Sequence, residues 1–316
     1  MATSNGPAAR KGIRVYARGV PGVMWLALVK FFADDCSAMA AAISFYTFFS
    51  LPALLTLLLT LLGKTMDPQT VQHAIVAEVG SLIGRAGAEQ VTAILLHARR
   101  SDHASVVATI LGLLALAFGS SAAFTQLQSA LNTIWSVKPD PTRNQFHMFV
   151  MKRVWSFGIV LTVAFLSLVS LVTSAVIAAA TTSVAERLGL SSVVLQVGSS
   201  VLAFVAIAAL FALMFRYMPD ARISWRDVRA GALGSAVLFI LGKTLIGLYL
   251  GGTNPGSAYG AAGSLAVVLI WVYYTSMVLL LGAEFTELWA EKFGHGIVPE
   301  HGAIAYVVNE KTVAVK

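Results

Sequence analysis

SAMAAAISFYTFFSLPALLTLLLTLL, residues 37–62, runs 26 positions without a charge, and Asp34 and Asp35 stand just before it. At about 1.5 Å per residue this stretch is ~39 Å long as a helix, enough to cross a hydrocarbon core of ~30 Å. It is expected to be the first transmembrane span. The composition around it agrees: of 316 residues, 57% are hydrophobic and 12% charged, where a soluble domain carries roughly 25% charged residues. The mean hydropathy is +0.78. The chain is therefore expected to be an all-α polytopic membrane protein.

Residues 1–33 form a basic segment. The first twelve are small and polar and are expected to lack fixed structure. Trp25, Leu28, Val29 and Phe32 then recur at helical spacing beside Arg14, Arg18 and Lys30, the pattern of an amphipathic helix in the membrane interface. No short apolar core with a small-residue cleavage site follows, so a signal peptide is not expected. Beyond Gly63, Asp67-Pro68 reads as an N-cap with proline at the first helical position. Val71, Ile75, Val79, Leu82 and Ile83 make one apolar face, and Val91, Ile94 and Leu95 a second. Two short amphipathic helices are expected there, on the outer side of the membrane.

Further apolar runs predict spans at about 104–135, 154–182, 191–215, 230–250 and 261–284, making six in a membrane domain of 34–292. Residues 293–316 are expected to be a flexible tail. Lys and Arg concentrate in the N-terminal segment, in the loop with Lys138, Arg143, Lys152 and Arg153, and in the loop with Arg216, Arg222, Arg226 and Arg229. By the positive-inside rule this places both termini in the cytoplasm. The only cysteine, Cys36, excludes an intrachain disulfide and a multi-cysteine metal site.

Polar residues inside the apolar runs are the candidates for function. Ser121, Thr125, Gln128 and Asn132 are spaced to share one helix face, and amide side chains in lipid need internal partners. The stripe either glues helices together or lines a cavity. Ser167, Ser170, Ser174 and Thr181 repeat the pattern on the third span. Lys243 stands in an apolar helix, where an unrelieved cation costs about 2.5–3.5 kcal/mol. Three readings stay open for it: snorkelling to the outer interface, a structural ion pair, or a place on an anionic-substrate path. Glu284 and Glu287 close the sixth span at the cytoplasmic level, with Arg216, Arg222 or Arg226 as expected partners of Glu284. Asp34 and Asp35 share that level, as helix caps or as members of a cytoplasmic ion-pair layer. Gly242-Lys243-Thr244 is not a P-loop, because Val237 replaces the first glycine and no strand precedes it.

The Asp34-Asp35 lead into AAAISFYTFFSLPALLTLLLTLLG, the segment AFGSSAAFTQLQSALNTIWSV at 117–137, FRYMPDARISWRDVRAGAL at 215–233, and YGAAGSLAVVLIWVYYTSMVLLLGAEF at 259–285 together resemble the YihY/BrkB-like family of bacterial inner-membrane proteins, once labelled ribonuclease BN. The resemblance runs in matching order over about 30–290. It implies a six-span protein of the cytoplasmic membrane that acts as a transporter or export factor, and it supplies no substrate and no catalytic residues. The old label finds no support in the residues. His73, His97, His103, His147, His295 and His301 show no metal-ligand spacing, and no carboxylate cluster accompanies them.

The expected function is thus transport or export of a lipid or small anionic solute, through a cavity lined by Lys243, Gln128, Asn132, Thr125 and Ser121. Neither an enzymatic site nor a cofactor is expected. Membrane lipids are the expected partners, their anionic headgroups meeting the basic loops. The alternative is a non-transporting scaffold that holds an envelope protein or a second copy of the chain; nucleic acid is not an expected partner.

Overall fold

The computed structural model describes residues 19–62, 67–100, 122–140, 192–252, 261–300 and 302–306. Seven helices lie among them. α1 is Val20–Ala33, α2 Cys36–Leu62 and α3 Pro68–Arg100. α4 covers residues 122–134, and α5 is Ser192–Tyr217, α6 Trp225–Gly252 and α7 Ala261–Phe293. The span expected at 154–182, its Ser167–Thr181 stripe, and the stretches 1–18 and 307–316 lie outside the described residues.

Helix α2 matches the expected first span to within one residue and runs through Pro52. α5, α6 and α7 fall where spans four, five and six were predicted, and α7 continues to Phe293, two turns beyond the expected end. Among the described residues, Trp225–Ile246 and Leu265–Phe293 are long and apolar enough to cross a membrane, with Val20–Ala33, Cys36–Leu51 and Ala203–Tyr217 as shorter apolar stretches.

Helix α7 is the hub, packing against α1, α2, α3 and α6, while α5 packs on α6. The α6–α7 contact works because small residues let the two backbones approach. A Cβ at Gly231 would lie 2.9 Å from the Gly282 carbonyl oxygen and overlap Thr286 Oγ1. One at Gly282 would overlap Ser235 Oγ and stand 3.0 Å from the Phe215 ring. Farther along the seam, Gly242 makes room for Tyr274, whose hydroxyl donates to the Leu238 carbonyl at 2.6 Å. On the other side of α7, the Ser44 hydroxyl donates to the Leu269 carbonyl at 2.8 Å and ties α2 to it.

α1 is apolar on both its buried and its exposed face. Val23, Ala27 and Phe31 are buried, the first two against Phe285, while Trp25, Val29 and Phe32 point outward. A two-residue corner then turns the chain into α2. Asp34 caps the end of α1, and Asp35 takes the left-handed conformation (φ 52°), tolerated by aspartate. Its carbonyl accepts from the amides of Ala38 and Met39, which starts α2.

Two expectations need correction. The segment after the first span is one helix, α3, rather than two short ones. Its start is as read: Asp67 Oδ2 accepts from the Thr70 amide at 2.9 Å, and Pro68 is the first helical residue. Glycines at 80, 84 and 87 weaken its middle, but Val71 at one end and Val91 and Leu95 at the other are buried, the latter pair against Leu55 of α2. Packing at both ends outweighs a glycine cost of about 0.5–1 kcal/mol each.

The second concerns the tail. Residues 298–300 and 302–305 of that expected tail carry two short strands. β3 (Val298–Pro299) pairs antiparallel with β2 (Ala221–Arg222), and β4 (Ala303–Ala305) with β1 (Val137–Pro139). The Tyr306 amide adds a bond to the Ser136 carbonyl, and Glu300 N–H donates to the Asp220 carbonyl at 2.9 Å. The chain after α7 thus clips together the ends of α4 and α5, both of which finish at the same end of the bundle.

Candidate functional site

Two clusters of charged residues lie at that end. The first forms where the α1–α2 corner meets α7. Lys30 Nζ donates to Glu287, lies 3.3 Å from the Glu284 carboxylate and 3.9 Å from Asp34. Glu284 is fully buried and Glu287 nearly so, on the α7 face turned toward α1 and α2. The Cys36 thiol, also fully buried, donates to Glu284 Oε1 at 3.6 Å. Three carboxylates thus share one ammonium. Burial disfavours the Lys30 ammonium, but the Glu287 and Glu284 carboxylates outweigh that and hold its pKa above the ordinary lysine value. The cluster can bind α1 to α7, and it can change pairing if α1 moves.

This corrects the expected partners of Glu284. Arg216 instead donates to the Ile223 carbonyl across the α5–α6 turn. Arg222 Nε stands 3.8 Å from Glu300, both largely exposed. Arg226 is exposed in the first turn of α6. Asp34 does join Lys30, whereas Asp35 is exposed at the corner. The expected single layer is two groups, and Lys30, read in the sequence as a charge of the N-terminal helix and not as a member of that layer, is the cation of the first.

The second cluster is built on Asp220, in the α5–α6 turn. Asn132 Nδ2 donates to Asp220 Oδ2 at 2.8 Å, and Asn132 Oδ1 accepts from the Asp220 amide at 2.9 Å. Gln128 Nε2 donates to Asp220 Oδ1 at 3.2 Å. Of the polar stripe of α4, Gln128 and Asn132 thus meet Asp220. Thr125 is exposed, and Ser121 lies outside the described residues. Replacing Asn132 by leucine removes one donor from the Asp220 carboxylate and the acceptor of the Asp220 amide, and is expected to lower stability by about 2 kcal/mol. Thermal unfolding in detergent measures it, and Asn132→Asp should do worse by setting two carboxylates together.

Beside this hub is a cavity of about 340 Å³, lined by Phe124, Gln128, Arg216, Tyr217, Met218, Pro219, Asp220, Ala221, Arg222 and Glu300. Its wall comes from α4, the end of α5, β2 and the strand clip. Lys243 is not part of it. That residue is half-buried on α6, about five turns beyond Trp225 and so ~27 Å along the helix, while Gln128 and Asn132 meet Asp220 in the turn just before Trp225. No ion-pair partner of Lys243 is found among the described residues. Nor, among them, is any group of three His, Cys, Asp or Glu side chains placed to hold a metal ion.

Asp220 and Glu300 were missed as site residues. Asp220 carried a signal, since an acidic residue in a short turn between two apolar helices faces the amides of the neighbouring span. Glu300 had none, because its place depends on strand pairing with residues far away in sequence.

The family model described as Virulence factor BrkB matches residues 27–302. The UPF0761 membrane protein RSc1559 of Ralstonia nicotianae is 29% identical over 251 residues, covering 79% of this chain and 54% of that protein. A UPF0761 membrane protein of Alkalilimnicola ehrlichii is 29% identical over 296 residues, covering 90% and 63%. A third, Ent638_4092 of an Enterobacter species, is 33% identical over 168 residues, covering 52% and 53%. The chain thus spans roughly half to two thirds of the length of these relatives. No solved structure matches it. With everything from the second half of α1 to the clip at Glu300 inside the matched region, and apolar helices forming its body, the chain belongs to the BrkB family of membrane proteins.

Proposed function

We propose that the protein is a six-span transporter or exporter of the bacterial cytoplasmic membrane, moving a lipid or a small anionic solute. The observation that carries this reading is the cavity of about 340 Å³ beside Asp220, whose mixed polar and apolar wall puts two arginines within reach of a ligand at the charged end of the bundle. That end is taken as the cytoplasmic face. Lys30, Lys138, Arg222, Arg226, Arg229 and Lys292 gather there, and exposed Trp25, Phe32, Tyr217, Trp225 and Phe293 flank them, as aromatic belts do at headgroup level.

The described helices fit six spans because their directions alternate: α2 leaves the charged end, α5 returns, α6 leaves and α7 returns. The glycine-packed α6–α7 seam leaves no room for a solute, so the path is assigned to the α4–α5 side, from the cavity past Gln128. Lys243, deep on α6, would meet an anion only if the path crosses to that helix. The closed seam is also what a scaffold needs, and this keeps the non-transporting reading as the rival.

Flux of phospholipid and of small anions in proteoliposomes decides between them. Transport above protein-free vesicles, reduced by Arg216→Gln, supports the proposal. Equal flux with and without protein overturns it in favour of the scaffold. A Lys243→Leu variant with unchanged flux would take Lys243 off the path.

A further inference from the structure

The charges that line the cavity are balanced, and this says more than their presence. Arg216 and Arg222 contribute two cations, Asp220 and Glu300 two anions. The contacts among them differ. Asp220 is held at both oxygens by the amides of Gln128 and Asn132, whereas Arg222 and Glu300 face each other at 3.8 Å, too far for a hydrogen bond, with about half of each side chain exposed. An exposed pair at that distance contributes little and separates at small cost. A purely anionic ligand that took Arg222 would leave Glu300 facing new negative charge. A ligand that also carried an ammonium would give Glu300 a replacement partner.

We propose that this cavity binds an aminoalkyl phosphate group, with the phosphate on Arg216 and Arg222 and a primary ammonium on Glu300. A phosphate oxygen pair suits the planar fork of a guanidinium. A primary ammonium donates hydrogen bonds to a carboxylate, which a quaternary one cannot. The volume, about 340 Å³, is at the small end of ligand pockets and suits a headgroup rather than a whole lipid. Phe124 and Tyr217 stand on its wall, where the glycerol end of a lipid would leave it. The site rests on the reading of this end as lying at headgroup level, though binding does not require transport.

The test is equilibrium binding to the full-length protein in detergent, with phosphatidylethanolamine, phosphatidylcholine and phosphatidylglycerol as probes, and with soluble phosphorylethanolamine and inorganic phosphate as competitors. Phosphatidylethanolamine should bind roughly tenfold or more tightly than phosphatidylcholine, the difference expected from one charge-assisted contact. Glu300→Gln should erase that preference while leaving phosphatidylglycerol binding in place, and Arg222→Gln should weaken both lipids. Both residues are largely exposed, and an unchanged melting temperature of each variant shows that folding is intact.

Displacement by phosphorylethanolamine at low millimolar concentration assigns the site to the free headgroup compound. Resistance to it, with retained lipid selectivity, assigns it to the lipid; either result supports the site. Equal affinity for the three lipids, displacement by inorganic phosphate as effective as displacement by phosphorylethanolamine, or indifference to Glu300→Gln overturns it. Flux in matched vesicles separates the two proposals: selective binding without flux removes transport and keeps the site, and flux without selectivity does the reverse.

Discussion

Lys30→Met lowers the stability of the folded protein by about 3–5 kcal/mol, the penalty for removing one partner of a buried ion pair. The loss is large because the ammonium is shared. Without it Glu287 loses its donor, and Glu284, fully enclosed, faces a second carboxylate with only the Cys36 thiol still donating to it. Lys30→Met combined with Glu284→Gln and Glu287→Gln recovers most of the loss, since a neutral cluster has no charge to compensate. Thermal unfolding of these variants beside the parent protein, in one detergent, checks both statements. A loss in the single variant below about 1 kcal/mol would mean that water reaches the cluster, as at exposed pairs.

The pH dependence follows from the sign of the Lys30 shift. Its folded pKa lies above its ordinary value, so, while its carboxylate partners are ionised, its stabilising effect is present below about 10.4, the unperturbed value, and disappears as the pH rises through the folded value. Through the neutral range Lys30 stays charged.

The second large effect is expected at Gly231. A Cβ there would stand 2.9 Å from a backbone oxygen, that of Gly282, which cannot turn away as a side chain can. Gly231→Ala must therefore push α6 from α7, at about 1–3 kcal/mol for overpacking, and Gly231→Leu should prevent the pair from docking. At Gly234, three residues on, a Cβ would meet nothing within 4 Å, so Gly234→Ala is expected to stabilise by about 0.5–1 kcal/mol through helix propensity alone. Opposite signs at the two glycines, read from melting temperatures, identify the seam; equal small effects would deny it.

Much of this architecture is legible in the sequence because in lipid every backbone group must be paired within its own helix. Uncharged length alone therefore located α2, and apolar runs located α5, α6 and α7. The Asp67-Pro68 start of α3 was equally plain, since capping is a contact between neighbours. What escaped was long-range. Nothing local says that Lys30 meets Glu284 and Glu287, about 250 positions later, although a buried carboxylate on α7 needed a cation from some neighbouring element. Three-residue strands such as Ala303–Ala305 carry too few residues to show alternation, so their pairing with Val137–Pro139 was invisible. The α4 stripe lay between these cases. The need of its amides for a partner was readable, and Asp220 as the partner of Gln128 and Asn132 was not.

The proposed transporter rests on one claim, that the end carrying the charged clusters and the strand clip faces the cytoplasm in a six-span topology. The single native cysteine, Cys36, is buried, so introduced cysteines report cleanly. Lys138→Cys and Arg222→Cys mark the charged end and Thr70→Cys the other, all at exposed positions. In intact cells a membrane-impermeant maleimide should label Thr70→Cys at once and reach the other two only after the membrane is opened. Labelling of Lys138→Cys or Arg222→Cys in intact cells would contradict the orientation and, with it, the assignment of the cavity to the cytoplasmic leaflet.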